Sequence, residues 1–140
     1  MEPVTKSTCA RLWIGLCLAM TLSAGVSHPA YAHHSLSAQY DYDWPFKFEN
    51  AVLTKASFVN PHVHLYFTVK NEKGEVEQWE VATVGIRGLN DKGLGKETLK
   101  VGETYTIRGL RAHNGAPSGF LAEIVVDGKS HIVWSGDPTA

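Results

Sequence analysis

Five side chains in this sequence are spaced as candidates to hold a metal ion: His33, His34, His62, His64 and Glu80. Ala30-Tyr31-Ala32 has the small-x-small form that an export peptidase cuts, and it directly precedes His33-His34-Ser35. Cleavage after Ala32 makes histidine the first residue, so its α-amine and imidazole Nδ1 can chelate one ion together. His62 or His64 would complete a T-shaped or square-planar set of three nitrogens. That donor set suits copper(II), with zinc and nickel as the other candidates. His34 does not share the His33 chelate ring and would bind through the amide between them, in a competing mode. The plain alternative is that the two histidines are a polar start to a flexible arm.

The second histidine pair needs a strand to aim it. Val63, Leu65, Phe67 and Val69 recur with period two and therefore line one face. His62, His64, Tyr66 and Thr68 then share the other, with the two histidines roughly 6–7 Å apart between Cα atoms, close enough to reach one ion. Glu72-Lys73-Gly74 reads as a three-residue hairpin loop with glycine in the left-handed position. That loop pairs Asn71 with Glu75, Phe67 with Trp79, Leu65 with Val81 and Tyr66 with Glu80, and leaves His64 diagonal to Glu80. A slip of one residue would scramble both faces, so the apolar pairing and the polar cluster support the same register. Glu80 reads as a ligand, as an acceptor that fixes a histidine tautomer, or as a solvated strand residue. His62 also reads as the cap of the Asn60-Pro61 turn, His64 as a surface residue where an aromatic would serve equally well, and Tyr66 as packing.

Residues 1–32 read as a secretory signal: Lys6 and Arg11, the apolar run Leu12 to Leu22, Pro29, then the cleavage site. The run is too short for a membrane span, so no stable insertion is expected after cleavage. Both cysteines, Cys9 and Cys17, leave with the signal, so any metal site in the mature chain must use nitrogen and oxygen donors. The loss of Glu2, Lys6 and Arg11 leaves 11 basic residues against 13 acidic ones over a single small domain. With no basic stripe, nucleic acid is not an expected partner.

Residues 33–47 read as an N-terminal arm in which Trp44-Pro45 breaks any regular element, and residues 48–140 as one β domain. Phe48 to Phe58 is the first strand, ended by Asn60-Pro61. Gly85 to Lys96, with four glycines, reads as a short helical turn or loop. Leu99 to Glu103 turns into a strand from Thr104 to Ala112, residues 114–119 form a loop, and Phe120 to Val126 and His131 to Trp134 flank an Asp127-Gly128 turn. About six short strands predict an all-β antiparallel barrel or sandwich.

His33-His34-Ser35, Asn60-Pro61-His62, Trp79-Glu80 and Leu99-Lys100-Val101-Gly102-Glu103 together span nearly all of the mature domain. In these pieces the chain resembles a family of small exported bacterial proteins catalogued only as a domain of unknown function. The resemblance implies a compact barrel of the oligosaccharide/oligonucleotide-binding (OB) type and no established activity. This sequence departs from the family's pattern at His64, where a bulky aromatic is expected, and in a shorter, more glycine-rich middle segment.

The expectation is a periplasmic or secreted small OB-like barrel that holds or delivers a copper-like ion, with turnover less expected than binding. No G-x-S-x-G, H-E-x-x-H or phosphate loop is present. The competing reading is a non-catalytic binding or scaffold module for a small apolar molecule, a glycan or an envelope protein. It rests on Trp44, Trp79, Trp134 and the Tyr40/Tyr42 arm. His113 and His131 read as ordinary exposed residues.

Overall fold

The computed structural model describes residues 36–136. Within them a short helix α1 (Leu36–Gln39) leads into an 18-residue strand β1 (Tyr40–Ser57). The hairpin β2 (His64–Lys70) and β3 (Val76–Ala82) follows, then helix α2 (Ile86–Asn90) and strands β4 (Thr104–Ala112), β5 (Ser118–Val126) and β6 (Lys129–Ile132).

β1 is long enough to serve two neighbours. Its N-terminal part pairs β4 and its C-terminal part pairs β2, with Val52 opposite both Thr68 and Thr104. The strand order β3-β2-β1-β4-β5-β6 is closed into a ring by a parallel contact of β3 with β5. A shared first strand, a parallel β3–β5 closure and a helical segment between β3 and β4 make this the expected all-β, OB-like barrel. Register shifts in β1 at Asp41/Pro45, Phe48/Ala51 and Leu53/Lys55 add the bends that let one strand wrap the ring.

The β2–β3 hairpin has the expected register throughout, from His64 opposite Ala82 to Lys70 opposite Val76. Gly74 sits at φ +81, and the Asn71 side-chain oxygen accepts from the Lys73 and Glu75 amides. The inward set Leu65, Phe67 and Val69 packs with Leu53, Trp79, Val81, Ile107, Leu121 and Ile124. Leu89, Leu94 and Leu99, from the glycine-rich middle segment, join the same core.

Two local readings are corrected. Trp44-Pro45 does not break the chain into an arm and a domain, because residues 40–47 already belong to β1, with Pro45 opposite Leu110. Tyr42, Asp43 and Trp44 bulge out between the Asp41–Arg111 and Pro45–Leu110 pairs, and at such a bulge a missing N–H costs the ladder nothing. His62 does not lie on the hairpin face either. β2 begins at His64, and His62 stands in the turn after the cis Asn60-Pro61 bond.

Candidate functional site

The Asn60-Pro61-His62 turn is held from both sides. The Asn60 side chain accepts from the Ile86 amide at 3.3 Å, and a Cβ at Gly85 would lie 2.8 Å from the Pro61 carbonyl oxygen. The chain can therefore seat this turn against the start of α2 only with glycine at position 85. Beyond the turn, Val63 exchanges backbone hydrogen bonds with Thr83 and Val84. His62 then donates from Nδ1 to the Thr83 carbonyl at 2.8 Å. A carbonyl can only accept, so Nδ1 carries a proton, and in the neutral ring Nε2 is the nitrogen with the lone pair.

His64 reaches the same state by another route. Its Nδ1 lies 2.9 Å from Glu80 Oε1, across one step of the hairpin, and the carboxylate accepts. Tyr66 donates to the same oxygen at 3.3 Å, and Lys55 sits 4.9 Å over the Tyr66 ring. Burial, the Glu80 charge and the hydrogen bond to Glu80 together raise the Tyr66 pKa above its ordinary value. Glu80 thus faces its hydrogen-bonding partners and acts as the acceptor that orients His64. Its amide donates to the Pro117 carbonyl at 3.1 Å, which ties β3 to the loop before β5.

Tyr40 joins this group from the far end of β1, and sequence reasoning did not find it. Its pKa is raised first by burial and then by the Glu80 charge, and its ring lies 5.5 Å from that of Phe120. Phe120 in turn contacts the His62 ring at 6.4 Å and the Trp134 ring at 5.9 Å. These are contacts between segments far apart in the chain, and no periodicity announces them.

His113 also has more structure than its sequence context suggests. Its amide donates to the Gln39 carbonyl, its Nε2 donates to the Ser37 carbonyl at 3.0 Å, and Nδ1 is 3.7 Å from Asp41. It pins α1 to the end of β4. His131 donates from Nδ1 to the Lys92 carbonyl at 2.8 Å.

His33 and His34 lie outside the described residues. Among the described residues no group of three or more His, Cys, Asp or Glu side chains is placed to hold a metal ion. Of the expected donors, the structure brings His64 and Glu80 together and turns His62 toward Thr83 and Phe120.

A family model matches residues 21–122, which include Asn60-Pro61-His62, Trp79-Glu80 and the Leu99–Glu103 turn. The chain belongs to the family of unknown function DUF6152. No curated protein and no solved structure matches it. In this DUF6152 chain the matched motifs have identifiable structural work. Asn60-Pro61-His62 forms the turn onto α2, Trp79 fills the core and Glu80 holds His64.

Proposed function

We propose that this protein holds a copper-like divalent ion after export, for storage or delivery in the periplasm or outside the cell. The donors would be the amine and imidazole of His33, exposed by cleavage after Ala32, together with Nε2 of His62 or His64. His34 supplies the competing amide mode. The observation that carries the reading is the shared state of the two internal histidines. Each gives its Nδ1 proton to a fixed acceptor, Thr83 O or Glu80 Oε1, which in the neutral ring leaves Nε2 as the nitrogen that can take a metal. Metal-binding histidines are commonly oriented in this way, by a carbonyl or carboxylate on the other nitrogen.

The test is calorimetric titration of copper(II) into the form beginning at His33, beside the same form acetylated at its α-amine. The first is expected to bind more tightly, because acylation of the His33 nitrogen abolishes the chelate. Equal affinity would eliminate the amine. Equal affinity of the parent and of His62→Ala and His64→Ala variants would eliminate the two internal histidines as well.

A further inference from the structure

A cationic aromatic groove lined by β1, the β2–β3 hairpin and Arg111 lies outside the proposed metal site and contains Trp44, one of the aromatic residues on which the competing reading rested. The β1 bulge at Tyr42–Trp44 throws Trp44 over β4, where its ring stacks on the Arg111 guanidinium at 5.1 Å. The same guanidinium lies 4.9 Å from the ring of Trp79. Trp79 is core, at 2% exposure, whereas Trp44 is 47% exposed. Arg111 Nε is buried with no hydrogen-bond acceptor among the described residues, which is costly for a donor unless a ligand supplies one.

The groove beside this stack has a volume of about 580 Å³ and is walled by Arg111, Lys47, Lys70 and Lys73 against two carboxylates, Glu72 and Glu77. Glu77 is already engaged. It accepts from Trp79 Nε1 and from the Asn71 amide, and these bonds hold its pKa below the usual carboxylate range. Past Lys47, Phe48 and Lys70 the groove continues into a second depression of about 500 Å³. Lys47 is paired with Glu49 at 2.9 Å where the two depressions meet, so the groove's cations for a ligand are Arg111, Lys70 and Lys73, on a chain whose net charge is −1. Bulges next to ligand sites commonly re-aim side chains in this manner.

We infer that this groove binds an acidic oligosaccharide, with one sugar ring stacked on Trp44 and its carboxylates on Arg111 and the lysines. The length of the groove calls for an extended ligand, its cations for an anionic one, and the exposed indole for one with an apolar ring face. Single-stranded nucleic acid shares the charge but stacks successive bases on several aromatic platforms. Among the described residues, the groove offers one strongly exposed ring.

The experiment is calorimetric titration of the metal-free mature protein with an oligogalacturonate, a neutral malto-oligosaccharide of equal length and an oligothymidylate. The expected result is oligogalacturonate binding that weakens with added salt and falls about tenfold in Trp44→Ala, the loss of one stacking contact. A Lys70→Glu/Lys73→Glu variant, altered only at exposed positions, is expected to lose binding while keeping its melting temperature. Arg111→Lys keeps the charge and removes the planar stack, so it should bind more weakly than the parent. Equal binding of the neutral sugar, tighter binding of the oligothymidylate, full affinity in Trp44→Ala, or no oligogalacturonate binding at all would each overturn the inference.

Discussion

Replacing Glu80 separates a structural role for the His64–Glu80 pair from a metal-orienting one. Its carboxylate accepts from His64 Nδ1 at 2.9 Å and from Tyr66 at 3.3 Å, but the side chain is about half exposed. Exposed ion pairs contribute about 0–1 kcal/mol, so Glu80→Gln and Glu80→Ala should lower folding stability by no more than that. The effect on metal affinity is expected to be larger than the effect on stability. Removing the carboxylate that orients a liganding histidine costs about 10–100-fold in affinity. Half exposure places this site near the lower end, about tenfold, or about 1.4 kcal/mol. Glu80→Gln retains a carbonyl oxygen for the Nδ1 proton and should lose less than Glu80→Ala. The assay is copper(II) titration of the His33-initiated form of each variant beside a urea unfolding curve. Unchanged affinity in both variants, with stability also unchanged, would show that His64 does not bind through Nε2 and refute the reasoning.

Three further outcomes are expected. Glu123 accepts from Arg108 Nε at 3.0 Å and from the Ser130 hydroxyl, and these bonds hold its pKa below the usual range. A folded pKa below the unfolded one gives stability that is present above about pH 4.5 and lost as pH falls through the folded value. Glu123→Gln should therefore flatten the fall in melting temperature below that pH, and an unchanged profile would contradict this. Gly119→Ala would place a Cβ 2.5 Å from the Leu110 carbonyl oxygen and 2.6 Å from the Phe46 ring, so a loss of about 3 kcal/mol in chemical denaturation is expected. His113→Ala removes the bond from the imidazole to Ser37 and should speed amide hydrogen exchange in residues 36–41 while the core strands keep their protection.

Much of the barrel could be read from neighbouring residues because its information is local. The alternation from Val63 to Val69 and the Gly74 loop specify the hairpin, and with it the Tyr66–Glu80 and His64–Glu80 contacts. Pro45 misled because a proline is disruptive only where its missing N–H would have entered a ladder, and whether a bulge absorbs it depends on Leu110, sixty-five residues away. His62 dropped off the strand face because the Asn60-Pro61 turn consumes it before pairing begins. The placement of Tyr40 near Glu80, the packing of Phe120 between two aromatic groups, and the seating of Arg111 beside two indoles all depend on long-range pairing. No spacing rule within one segment encodes those.

The parallel contact that shuts the ring runs only from Glu80 opposite Ser118 to Ala82 opposite Phe120. Every other neighbour in the ring is joined along a longer antiparallel border. This clasp is the barrel's weakest hem, and it is stitched with the same two residues, Glu80 and Phe120, that steady the imidazoles. Were the hem to unbutton, His62 would lose the Phe120 ring beside it, while the His64–Glu80 bond, internal to the β2–β3 hairpin, would hold.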